Sequence, residues 1–214
     1  MKTLSILVTV GMAAAAASAQ PQWYNGDPDN ENGIFAEYGG QYGATFLYED
    51  FDFDGGTIES LSGNYYIGTT VTGYAWEIRS EMSDGSGGTL LFAGNTDGPW
   101  SMERNYFDNS GYLGYSVIAD IDDVFLPAGS YMMALSLIGD GQGTGNFLQT
   151  TSGANGFGSP IDNDLNWFTS EFFGVSYFEN YLPGSDFSYG VSIPAPASVA
   201  LLGLGGLVAA RRRR

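Results

Sequence analysis

The 214-residue sequence has no cysteine, no histidine and only seven basic residues. Without cysteine and histidine, the chain has no disulfide framework, no thiolate nucleophile, no Ser-His-Asp triad and no ordinary zinc site. Five of the basic residues lie near the two ends of the chain. The segment between them carries two arginines against 24 acidic side chains, a formal charge of −22. This charge excludes nucleic-acid binding, because affinity for phosphate backbones depends on Lys and Arg contacts.

The remaining composition is that of a folded domain. Hydrophobic residues make up 43% and aromatic residues 15% of the chain, which is enough for one packed core despite the acidity. Glycine occurs 32 times, about twice its usual frequency, and indicates many turns.

Residues 1–19 have the pattern of a secretory signal peptide. Lys2 supplies the positive start, residues 4–17 are largely apolar, and Ala17-Ser18-Ala19 fits the small-residue site that signal peptidase cleaves. We therefore predict export, with a mature N-terminus at Gln20.

The last 21 residues have a three-part layout. A Pro194-Ala195-Pro196 motif leads into an apolar helix predicted over residues 199–210, and the chain closes with Arg211, Arg212, Arg213 and Arg214. Twelve helical residues span about 18 Å, less than a hydrocarbon core of about 30 Å. The positive-inside rule keeps the arginines cytoplasmic and the acidic body outside.

This tail, on a chain with a signal peptide, resembles the PEP-CTERM sorting signal of exported bacterial proteins, whose motif usually reads Pro-Glu-Pro. The resemblance covers residues 194–214 and implies an exosortase-type enzyme that processes the chain near the proline motif after transient membrane insertion. It also implies a Gram-negative-type bacterium that makes extracellular polysaccharide. A permanent C-terminal membrane anchor is the alternative interpretation.

Between the signals, the sequence predicts a polar N-terminal extension over residues 20–32 and one β-domain over residues 33–193. Apolar and polar residues alternate in several short runs separated by Gly, Asn, Asp and Pro, as in strands with one buried face. Strands are predicted at residues 45–53, 57–66, 74–82, 89–93, 112–121, 130–138, 147–151, 167–172 and 187–193. The predicted fold is all-β, an antiparallel two-sheet sandwich of jelly-roll type.

Two sets of residues are candidates for ligand binding. Asp120, Asp122 and Asp123 cluster in a predicted strand, either as a Ca²⁺ site or as a solvated acidic edge. Trp100 and Trp167 follow turn-rich segments and could offer flat faces on which sugar rings stack.

We expect a non-enzymatic, exported protein with no cofactor unless the acidic cluster binds Ca²⁺. Its expected role is a structural or adhesive component of the cell surface or extracellular matrix, where extracellular polysaccharide is a candidate partner. A carbohydrate-binding module is the main alternative. A glycan hydrolase that uses paired carboxylates is a third.

Overall fold

A computed structural model describes residues 20–96, 100–142 and 144–194. The predicted signal peptide and the predicted helix over residues 199–210 lie outside these residues. In the part of the chain that the structure describes, no helix has the length and apolar character needed to cross a membrane.

The described residues are all-β, and their one helical element is a 3₁₀ turn at Gly40–Tyr42. Each predicted strand is present, with shifts of up to five residues at its ends. The strand predicted at residues 187–193 is divided at Ser188 into Asp186–Phe187 and Tyr189–Ile193. The strands are β1 (Gln20–Tyr24), β2 (Pro28–Phe35), β3 (Thr45–Phe53), β4 (Gly56–Ile67), β5 (Val71–Ser80), β6 (Thr89–Thr96), β7 (Trp100–Arg104), β8 (Leu113–Leu126), β9 (Gly129–Gly139), β10 (Asn146–Thr151), β11 (Asn166–Ser170), β12 (Val175–Glu179), β13 (Asp186–Phe187) and β14 (Tyr189–Ile193).

These strands form two antiparallel sheets. The eight-stranded sheet runs β1-β14-β4-β10-β13, with β2 beside β10, β8 beside β4 and β7 beside β8. The six-stranded sheet runs β12-β11-β3-β9-β5-β6. We refer to residues 20–194 as the two-sheet body.

The alternating side chains of both sheets meet in one hydrophobic core. In β5, Tyr74, Trp76 and Ile78 belong to this core, as their spacing predicts. In the opposite sheet, Tyr189 and Val191 of β14 do the same. A smaller apolar cluster covers the other face of the six-stranded sheet and comprises Phe46, Tyr48, Ala75, Met82, Met132, Ala134 and Trp167.

Residues 20–32 belong to the body and are not the extension that their polarity predicts. Strand β1 pairs with β14, and β2 pairs with β10. Trp23 is buried in the core, and Asp29 Oδ1 accepts a hydrogen bond of 2.7 Å from Thr150 Oγ1. The polar side chains of this segment thus find partners far along the chain, which local sequence does not reveal.

Candidate functional site

Most residues predicted to act in sorting lie outside the described residues. These are Ala17, Ala19, Ala195, Pro196 and the arginines 211–214. Pro194 is described. It is exposed and follows the last residue of β14 directly. A recognition motif beginning at Pro194 therefore starts where the folded body ends.

The two candidate tryptophans have different surroundings. Trp100 is half-buried in β7 and packs against the edge of the core. Trp167 is only 3% exposed, because the apolar cluster on the outer face of the six-stranded sheet encloses it. Trp167 is thus buried where its polar sequence neighbours predict exposure, and it offers no open face to a sugar ring.

The three candidate aspartates lie exposed on β8. Asp120 and Asp122 share a face, with Ile121 buried between them, as alternation predicts. A bulge follows, since Ser60 pairs with Asp120 but Ile58 pairs with Val124. Within the described ranges, no group of three or more acidic, histidine or cysteine side chains is arranged to hold a metal ion.

Asp120 and Asp122 instead form one wall of a cleft of about 230 Å³ where β8 faces the β5–β6 hairpin of the other sheet. We call this the inter-sheet cleft. Tyr74, Trp76 and Asn95 line its other side.

The hairpin can shape this cleft because Gly94 lies opposite Trp76 in the β5–β6 pair. A Cβ atom at position 94 would lie 2.7 Å from Trp76 Nε1, so only glycine lets the indole lie across the neighbouring strand. The Tyr74 hydroxyl donates a hydrogen bond to the backbone carbonyl of Asp120 and so links the two walls.

The cleft has a negative electrostatic character. Burial raises the pKa of the Tyr74 hydroxyl above its ordinary value, and the carboxylates of Asp120 and Asp122 raise it further. The wall of carboxylates accepts hydrogen bonds, and Asn95 can both donate and accept, whereas Trp76 is only 5% exposed and belongs to the core. This combination suits a neutral, hydroxyl-rich ligand.

Both arginines of the body are held by neighbouring side chains. Arg79 Nε donates to Glu77 Oε2 at 2.5 Å, and its guanidinium lies over the rings of Tyr48 and Tyr177, at 5.7 and 5.1 Å. Arg104 Nη2 contacts both carboxylate oxygens of Asp108, at 2.8 and 2.7 Å. These contacts assign both cations a structural role.

A second polar group, which the sequence prediction missed, lies inside the body. Glu49 occupies the core-facing register of β3 together with Leu47 and Phe51, and Asn166 lies directly opposite it in β11. Asp186 in β13 is also fully buried. The available signal was a glutamate two residues from Leu47 and two from Phe51, in register with both apolar side chains.

Comparison of the chain with protein-family models, with curated proteins and with solved structures found no match. The functional assignment therefore depends on the chemistry of these residues.

Proposed function

We propose that this chain is a non-enzymatic, exported protein that acts as an adhesive component of the cell surface or extracellular matrix, and that its inter-sheet cleft binds a glycan. In this proposal the body is a jelly-roll-like sandwich. Signal peptidase removes residues 1–19, and an exosortase-type enzyme processes the membrane-inserted tail of a Gram-negative-type bacterium.

The observation that carries the binding proposal is the meeting of an exposed amide and two exposed carboxylates in one cleft. Sugar hydroxyls donate strongly to ionised carboxylates and exchange hydrogen bonds with side-chain amides. The cleft volume of about 230 Å³ lies below the usual range for drug-sized ligands, which favours one sugar unit of a longer chain.

The position of the carboxylates favours binding over hydrolysis. Asp120 and Asp122 lie on the same wall, whereas Tyr74, Trp76 and Asn95 line the opposite one in the described part of the cleft. Glycosidases place their two carboxyl groups on either side of the scissile bond. A glycan in this cleft would contact both carboxylates from one side.

The double substitution D120N/D122N in the full chain is expected to weaken glycan binding about 10-fold or more. Each hydrogen bond to a charged acceptor contributes about 1.5–3 kcal/mol, and neutral amides replace two such acceptors. Binding is measured first on a glycan array and then by titration with the best ligand. D123N is the matched control, because Asp123 lies on the same strand and is exposed but does not line the cleft.

Equal weakening by D123N, or unchanged binding by the double variant, would contradict the cleft assignment. Loss of binding in W100A alone would move the site to β7. Release of reducing ends from the bound glycan would replace the binding proposal with the hydrolase alternative.

The sorting proposal predicts a specific mature form. Since Pro194 is exposed immediately after β14, cleavage near the Pro194-Ala195-Pro196 motif would leave the described strands intact. Intact mass spectrometry of native protein is expected to find a species that begins at Gln20 and ends between residues 193 and 198. A species that keeps Arg211–Arg214 in the membrane fraction would instead indicate a permanent anchor.

A further inference from the structure

Three buried side chains of the two-sheet body each keep one oxygen atom without a hydrogen-bond partner. Glu49, Asn166 and Asp186 are all 0% exposed. The unpaired atoms are Glu49 Oε2, Asn166 Oδ1 and Asp186 Oδ1. Buried polar atoms in folded proteins nearly always have a partner, so three such oxygens in one region require an explanation.

The other polar atoms of these side chains show that the three residues are neighbours. Phe187 N donates to Glu49 Oε1 at 2.6 Å, and Asn166 Nδ2 donates to the carbonyl of Ser185 at 2.9 Å. Asp186 lies between these two contacts in the chain. Glu49 and Asn166 are themselves directly opposite each other across β3 and β11. The contacts thus fix all three side chains around the start of β13.

Asp186 is also tied to the loop at the surface. Its Oδ2 atom accepts hydrogen bonds from the backbone N–H groups of Asn163 and Asp164, at 2.5 and 3.2 Å. Residues 162–164 are exposed, so this loop separates the buried oxygens from solvent.

The region around Glu49 and Asp186 has a negative electrostatic potential. Burial raises the pKa of Glu49 well above its ordinary value, and the charge of Asp186 raises it further. Asp50 and Asp162 add to the same negative potential. Both arginines of the body are engaged elsewhere, with Glu77 and Asp108.

We propose that Glu49, Asn166 and Asp186 bind one Ca²⁺ ion through their unpaired oxygens. Two carboxylates and an amide carbonyl are hard oxygen ligands, and Ca²⁺ accepts irregular sets of six to eight such ligands completed by backbone carbonyls and water. Mg²⁺ requires a nearly ideal octahedron, which makes it the poorer candidate. This site uses different residues from the inter-sheet cleft and does not depend on its function.

The test is titration of the EDTA-treated full chain with CaCl₂ by isothermal titration calorimetry, followed by thermal melts in CaCl₂ and in EDTA. We expect one Ca²⁺ per chain. At a concentration 100-fold above Kd, Ca²⁺ should raise Tm by about 5–10 °C. E49Q and D186N should each lose the binding heat and the rise in Tm.

The triple variant D120N/D122N/D123N is the matched control, because it removes the exposed aspartates of β8 and leaves the buried oxygens unchanged. It should bind Ca²⁺ as the unaltered chain does. Loss of binding in this variant, with retention in E49Q, would place the ion on β8 and overturn the proposal.

Absence of binding heat in the unaltered chain, together with equal Tm in CaCl₂ and EDTA, would also overturn it. This measurement decides the question even if a buried variant fails to fold.

Discussion

Replacing Phe51 with alanine is expected to lower the free energy of unfolding by about 3–5 kcal/mol. The Phe51 side chain is fully buried in the core, with ring centroids of Trp23, Phe53 and Tyr131 at 5.7, 6.2 and 6.0 Å. Its removal leaves a cavity between residues from three strands. Those strands are held by backbone ladders and cannot close the gap fully.

Urea denaturation and a thermal melt measure this effect, and Tm should fall by about 6–20 °C for a body of this size. Phe125→Ala is the control, because Phe125 is 69% exposed on β8 and its loss should change stability by no more than about 0.5 kcal/mol. A comparable loss in both variants would mean that Phe51 does not occupy the core described here.

The second large effect is a loss of stability as pH rises from about 5 to about 8 in calcium-free buffer. Burial raises the pKa of Glu37, Glu49, Asp50 and Asp186 above their ordinary values, to about 6 for Asp50. The folded chain therefore binds more protons than the unfolded chain between the unfolded and folded pKa values. Stability from these groups is present below about pH 4 and is lost as pH rises through their folded pKa values.

Urea denaturation in EDTA at a series of pH values tests this prediction. High NaCl concentration should be used, since it screens the repulsion among exposed carboxylates and isolates the buried groups. E49Q should show a weaker pH dependence than the unaltered chain, because the amide has no proton to lose. Stability that increases between pH 5 and pH 8 would show that the buried carboxylates do not have raised pKa values.

Alternation was sufficient to predict strands such as β5 and β14, because one face of each packs on the core and a period of two is visible in the sequence. Strands β1 and β2 were missed for the opposite reason. Their partners β14 and β10 are distant in sequence, and their polar side chains are satisfied by contacts such as Asp29 with Thr150. Local composition does not indicate such long-range pairings.

The candidate sites were predictable to the same limited extent. The shared face of Asp120 and Asp122 follows from their spacing, and the structure confirms it. The opposite wall of the cleft could not be predicted, because it depends on which strand of the other sheet faces β8. The burial of Trp167 depends on a second apolar cluster, on a sheet face that simple alternation assigns to solvent.

The pairing of β1 with β14 also has a consequence for how the body is assembled. Gln20 lies opposite Ile193, so the first strand acquires its partner only after roughly 170 further residues have been made. At ribosomal rates of about 5–20 residues per second, this delay is on the order of 10–35 s. During that time the backbone N–H and C=O groups of β1 lack their partners on β14. A chaperone or another nascent chain can bind this exposed strand edge.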